Sequence, residues 1–204
     1  MIAIIDYDAG NLRSVEKALI SLGEAPVITR DGENILDADK VILPGVGSFG
    51  DAMGRLRQYG LVDVIHDTVE KGTPFLGICL GQQLLFGSSE ESPGVEGLDI
   101  LPGRILKIPD CPGLKIPHMG WNQLHFNQNH PILKNIHEND DVYFVHSFMA
   151  TCPNEQLIVY SDYGKTNITA IAAKDNVIGC QFHPEKSGAV GQKILLAFKE
   201  MIEC

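Results

Sequence analysis

Short apolar runs alternate with helix-spaced apolar positions through the first half of the chain. Ile2-Ala3-Ile4-Ile5 is the run of a buried strand. Leu12, Val15, Leu19 and Leu22 then recur at intervals of three and four, the stripe of an amphipathic helix, and Gly23 supplies its stop. Val27-Ile28 and Val41-Ile42-Leu43 read as two further strands. Residues 51–59 read as helix, and Leu61, Val64, Ile65 and Val69 mark another that ends near Gly72. Residues 75–78 form a fourth apolar run, with a helix-like segment over 80–86 behind it. Such alternation predicts an α/β fold: a mostly parallel central sheet with helices on both faces.

The second half changes character. Residues 104–108, 122–126, 142–148, 157–161, 169–173 and 177–182 are strand candidates separated by short turns, which predicts an antiparallel extension. A final stripe of Val190, Ile194, Leu195, Phe198, Met201 and Ile202 predicts an amphipathic helix. The loop 88–97 carries three glutamates and reads as a solvated polar excursion. Nothing resembles a linker or a repeat, so 1–204 is expected to be one domain, long enough to bury its own core.

Charge and composition then narrow the function. A formal charge of −10 argues against a nucleic-acid partner, because binding phosphates needs a basic face. No apolar run approaches the roughly 20 residues of a membrane span. The five cysteines (79, 111, 152, 180 and 204) are odd in number and contain no C-x-x-C. Met1 to Asp6 lacks a basic n-region and a cleavage site and reads as a first strand. A reduced, cytoplasmic compartment is expected. Cys180 alternates with Phe182 and reads as core, while Cys111, Cys152 and Cys204 read as incidental. His66, His125, His130 and His137 read as surface residues. No metal-ligand spacing is present, and no metal or other cofactor is expected.

The chemistry concentrates at Gly77-Ile78-Cys79-Leu80-Gly81. A strand enters a glycine-flanked cysteine and a helix follows, the pattern of a nucleophile elbow with cysteine in place of serine. The glycines leave room for the sharp turn, and the helix start favours an anionic sulfur. A nucleophile needs a base, and the base an orienter. His183-Pro184-Glu185 offers both: in extended chain, held so by Pro184, residues two apart share a face. The oxyanion donors would be the Leu80 N–H and the glycine-rich loop 44–48, with Val46 and Gly47. Gly45-Val46-Gly47-Ser48-Phe49-Gly50 also matches G-x-G-x-x-G. The dinucleotide reading is set aside, because that fingerprint normally opens the first strand-helix unit and leaves Cys79 and His183 without a role.

Together these pieces resemble the class I glutamine amidotransferases. Residues 77–83 (Gly-Ile-Cys-Leu-Gly-Gln-Gln) and 182–187 (Phe-His-Pro-Glu-Lys-Ser) look like that family's two signatures. Residues 6–12, 44–49, Pro-His-Met-Gly-Trp-Asn at 117–122 and Val-Tyr-Phe-Val-His-Ser at 142–147 are similar to the glutaminase subunits of imidazole glycerol phosphate synthase, almost end to end. The resemblance implies a three-layer fold and a Cys79, His183, Glu185 triad that hydrolyses L-glutamine through a glutamyl thioester. It implies a heterodimer with a (β/α)8 cyclase subunit, which uses the ammonia to make imidazole glycerol phosphate and an aminoimidazole carboxamide ribotide in histidine biosynthesis. By position, Gln83, His146 and Ser147 would hold glutamine. Asn11, Trp121, Tyr143 and Lys186 would lie at the cyclase interface or the ammonia exit. Two departures stand out: Asp8 where glycine is expected, and Gln82 where methionine or histidine is common. The alternatives are a glutaminase for another acceptor, as in anthranilate or pyridoxal phosphate synthesis, and a non-catalytic binding scaffold.

Overall fold

The computed structural model describes residues 1–201. The first half alternates as its pattern predicts: β1 (Ile2–Ile5), α1 (Leu12–Ser21), β2 (Val27–Thr29), α2 (Gly32–Leu36), β3 (Lys40–Gly45), α3 (Phe49–Gln58), α4 (Leu61–Glu70), β4 (Phe75–Cys79) and α5 (Leu80–Leu84). The second half holds β5 (Arg104–Lys107), β6 (His118–Gln123), β7 (His125–Phe126), β8 (Asp141–His146), β9 (Phe148–Thr151), β10 (Leu157–Tyr163), β11 (Thr166–Lys174), β12 (Val177–Cys180) and α6 (Gly188–Lys199).

One large sheet runs in the order β2-β1-β3-β4-β12-β11-β10-β7. Its first five strands are parallel, and β11, β10 and β7 add on antiparallel. Alternate strand residues serve opposite faces. Ile4, Ile42 and Leu76 pack with Val15, Leu19, Ile194 and Phe198 of α1 and α6. Ala3, Ile5, Val41 and Phe75 pack with Ile35, Met53, Leu56 and Ile65 of the helices on the other side. Burial on both faces explains why these strands read as continuous apolar runs. No helix among the described residues is long and apolar enough to cross a membrane.

Several local expectations need correction. The segment read as one strand over 122–126 begins earlier, at His118, and Leu124 divides it; β6 pairs antiparallel with β8 in a separate small sheet. The strand read over 142–148 stops at His146. There the His146 ring bonds the Phe148 carbonyl at 2.7 Å, and the chain turns into β9, which pairs with β5. The five-residue α2 was not predicted, having only Ile35 buried; the Asp31 side chain caps it by accepting from Glu33 N–H. Ile202 and Cys204 lie outside the described residues.

The loop 88–97 is more than a solvated excursion. The Glu91 carboxylate accepts from Phe49 N–H at 2.7 Å and Ser92 Oγ from Gly50 N–H at 2.9 Å. These are first-turn donors of α3, which a helix cannot satisfy internally and which favour negative charge. Of the histidines expected at the surface, only His137 is fully exposed. His130 is half-buried because its Nδ1 accepts from Ile132 N–H, and His125 because it packs beside Tyr160 and pairs with Glu138. His66 is half-buried on α4. Cys180 is core, as its alternation implied, and burial pushes its thiol pKa well up.

Both departures from the family pattern have local explanations. Asp8 has φ 61°, the left-handed region where glycine is the default residue. Arg30 bonds its carboxylate at 2.7 Å and Tyr59 donates to the other oxygen, so the side chain ties down the loop that glycine would only permit. Gln82 is buried against β12 and donates to the Gly179 carbonyl at 3.2 Å.

Two helical glycines should respond oppositely to alanine. A Cβ on Gly81 would collide with the Leu43 carbonyl of β3, whereas one on Gly54 of α3 meets nothing within 4 Å. Gly54→Ala should stabilise by about 0.5–1 kcal/mol through helix propensity. Gly81→Ala should destabilise by about 1–3 kcal/mol or more through overpacking. Urea denaturation measures both; equal effects would contradict the close approach of α5 to β3.

Candidate active site

Parallel pairing brings distant residues to one edge of the sheet. Gly45 of β3 is the register partner of Cys79, and Ile78 of β4 partners Cys180 of β12. The loops leaving β3, β4 and β12 therefore meet at the carboxyl ends of the strands, where open α/β sheets bind ligands. Residues 104 apart in sequence become neighbours without any motif linking them.

Cys79 occupies φ 55°, ψ −109°, a backbone state that a non-glycine residue rarely adopts. The surrounding glycines allow it. A Cβ on Gly77 would lie 2.7 Å from the Gly81 carbonyl oxygen. One on Gly45 would meet the Tyr7 hydroxyl and lie 3.1 Å from Leu80 Cβ. Tyr7, fully buried, donates to the Pro44 carbonyl at 2.9 Å and braces the loop that follows. The chain thus turns sharply at Cys79 and enters α5 at once.

His183 is held by its backbone. Its N–H donates to the Tyr143 carbonyl at 3.0 Å, and its own carbonyl accepts from Ser187 Oγ at 2.6 Å. The following residues are not extended as expected. Pro184 opens a single 3-10 turn over Pro184–Lys186, because its fixed φ suits the first position of a helical turn. That turn still brings Glu185 back to the ring: Oε1 accepts from Nδ1 at 2.7 Å, with both side chains fully buried. Asn11 donates its amide to the same oxygen. It stands at the N-cap of α1 with φ 77°, and its side chain serves Glu185 rather than the helix.

Burial alone would lower the His183 pKa. Contacts with Cys79 and then with Glu185 outweigh it and raise the ring to about 9. Nε2 has no other partner and is the atom left for the sulfur. On the far side of the sulfur, Gln181 Nε2 approaches Sγ at 3.7 Å. Gln83 Nε2 in turn donates to Gln181 Oε1 at 3.0 Å and to the Phe148 carbonyl at 3.1 Å.

A cavity of about 240 Å³ opens over Cys79. It gathers every expected oxyanion residue (Val46, Gly47 and Leu80) and every expected ligand residue (Gln83, His146 and Ser147). Phe148 and Glu91 complete the lining. His146 is neutral: burial pushes its pKa down to about 3. Both of its nitrogens are engaged, Nδ1 with the Phe148 carbonyl at 2.7 Å and Nε2 with His118 at 2.9 Å. It shapes the wall rather than offering a free polar atom.

The remaining expected residues lie outside the cavity. Trp121 and Tyr143 are partners across β6 and β8 and form an edge-to-face pair at 6.0 Å. Trp121 is 55% exposed and Met119, on the same strand face, 60%. Lys186 is exposed in the turn that holds Glu185. Sequence reasoning missed Gln181, Glu91 and His118. Gln181 was findable, as a polar residue two positions before His183 at a strand end. Glu91 was not, because only the tertiary packing of the 88–97 loop carries it to Cys79.

Residues 3–203 match the family described as "Glutamine amidotransferase class-I". The chain is 51% identical over 201 residues to the imidazole glycerol phosphate synthase subunit HisH of Lactococcus lactis subsp. lactis, covering 98% of each chain. It is 51% identical over 206 residues to the protein of the same name from Caldanaerobacter subterraneus subsp. tengcongensis, covering 100% of each. In fold it is similar to a crystal structure described as a glutamine amidotransferase, with a TM-score of 0.76 at 19% identity and 98% of each chain covered.

Because its folded pKa lies above the ordinary 6.5, protonated His183 stabilises the fold fully below that pH and loses the effect as pH rises through about 9. An NMR titration of the ring should show a midpoint near 9, moved down in Glu185→Gln. A midpoint at or below 6.5 in the unaltered protein would contradict the geometry.

Proposed function

The chain belongs to the class I glutamine amidotransferase family, and on that premise we propose that it is the glutaminase subunit of an imidazole glycerol phosphate synthase. It hydrolyses L-glutamine to glutamate and ammonia, as one domain, in the cytoplasm. The ammonia passes to a (β/α)8 cyclase subunit in a heterodimer that serves histidine biosynthesis. The observation that carries the reading is the line Glu185–His183–Cys79 ending in a cavity built from Val46, Gly47, Leu80, Gln83 and Ser147.

The chemistry follows from that line. His183, kept protonated by its neighbours, holds the proton taken from the thiol, and the sulfur attacks the side-chain amide carbon of glutamine. The carbonyl oxygen becomes an oxyanion between the Leu80 N–H and the Val46–Gly47 loop. The imidazolium gives its proton to the departing nitrogen, so ammonia leaves and a thioester remains. Neutral His183 next takes a proton from water, whose oxygen attacks the acyl carbon. The thiolate leaves and glutamate is released. Glu185 and Asn11 keep Nδ1–H pointed away from the sulfur, so Nε2 alone handles the proton.

Glu91 is the carboxylate in the cavity lining and suits the α-ammonium of glutamine. The exposed Met119, Trp121 and Tyr143 form an apolar, aromatic face of the kind that docks a partner. Lys186 and Asn11, at the two sides of Glu185, suit the exit toward that partner.

Glutamate release, assayed with the cyclase present, separates these roles. Cys79→Ala should lower it by more than about 10³-fold. Glu91→Gln should raise KM about tenfold or more with kcat changed less than about threefold, the mark of lost uniform binding. An unchanged rate in Cys79→Ala would end the proposed mechanism.

A further inference from the structure

His118 touches neither the sulfur nor the cavity, yet it is completely buried and joined to the cavity wall. Its ring is stacked between Phe144 at 4.8 Å and Tyr163 at 4.0 Å. Its Nδ1 lies 2.9 Å from His146 Nε2, and its Nε2 lies 2.7 Å from the atom placed as Asn122 Oδ1. His118 and His146 are register partners on β6 and β8, so the backbone pairing itself sets the two rings together.

The protons in this chain of bonds can be counted. A neutral His146 has one ring proton. The Phe148 carbonyl only accepts, so that proton sits on Nδ1. Nε2 is then a bare lone pair and needs a donor, which His118 Nδ1, 2.9 Å away, is placed to supply. His118, whose pKa burial also lowers, then has a bare Nε2. The proton count therefore assigns the Asn122 amide with its NH2 toward Nε2, the reverse of the placed orientation, in which Oδ1 faces Nε2 and Nδ2 makes a 3.4 Å bond to the Asp162 carbonyl.

We propose that His118 is a positioning residue for glutamine turnover: its Nδ1–H fixes the His146 tautomer that anchors the Phe148 carbonyl. This rests on the glutaminase reading. The anchored carbonyl also receives Gln83, and Gln83 holds Gln181 against the sulfur. Without the donor from His118, the His146 proton moves to Nε2 or a buried lone pair goes unmet. In the first case two lone pairs face each other across the 2.7 Å gap to Phe148, and the Ser147–Phe148 wall must shift.

Two variants of similar size separate this role from simple packing. His118→Asn places an amide nitrogen where Nδ1 stood and keeps the donor to His146. His118→Gln places its amide near the Nε2 position and keeps only the Asn122 contact. Both lose the aromatic stacking. With the cyclase present, kcat/KM for glutamine in His118→Asn should stay within about threefold of the unaltered enzyme. In His118→Gln it should fall about tenfold or more, chiefly through KM. Nitrogen-15 NMR of the chain should show His146 protonated at Nδ1 in the unaltered protein and in His118→Asn, but not in His118→Gln. Equal losses in the two variants, or a His146 proton on Nε2 in the unaltered protein, would overturn the proposal. If the unaltered complex releases no glutamate, the glutaminase reading fails by itself, and the tautomer measurement still decides the role of His118 toward His146.

Discussion

Everything at this site depends on one backbone constraint: the chain must reverse at Cys79 in a conformation that a side-chain-bearing residue disfavours. Such a state costs on the order of 1–3 kcal/mol and persists only where its surroundings over-determine it. Here the surroundings are glycines. Gly77 and Gly81 let the start of α5 fold back on β4, and Gly45 lets β3 pass beneath both. The clearances are so small that a methyl group at any of the three would strike backbone or a braced side chain. The strain is the means by which the sulfur leaves the sheet and faces the cavity.

Around that turn, two separate hydrogen-bond systems reach the sulfur. One carries charge: Asn11 to Glu185 and Glu185 to His183, whose buried Nε2 is left free for the sulfur. The other is neutral: His118 to His146, His146 and Gln83 to the Phe148 carbonyl, Gln83 to Gln181, and Gln181 to the sulfur. The first can move a proton. The second is built around a His146 that burial holds neutral, and its use is to hold the wall in place. Division of labour of this kind suits a site that must shuttle protons beside a neutral amide without protonating its own walls.

Much of the arrangement was legible in the chain. The parallel half of the sheet could be read because strands buried on both faces leave uninterrupted apolar runs, and the glycines flanking Cys79 have no other use in a strand-helix junction. Where reading failed, the cause was tertiary. His146 ends β8 through a bond to a residue two positions on, which no hydrophobic pattern records. Glu91 sits in a loop whose composition is that of solvent-facing chain, and only the unsatisfied donors of α3 draw it inward. His118 was quoted within a family-like segment, but its importance lies in the register of β6 against β8. Asp8 departs from the family and compensates with Arg30 and Tyr59, an exchange visible only once Arg30 is seen beside it.

The central claim is that the fold singles out Cys79 among the described cysteines to attack a glutamine-shaped electrophile. The most direct test is to treat the protein, with its cyclase present, with a diazo-ketone analogue of glutamine and to locate the adduct by peptide mass spectrometry. A single adduct on Cys79, lost when excess glutamine competes, is the predicted result. An unmodified Cys79, or labelling spread over Cys111 and Cys152 at the same rate, would contradict the account.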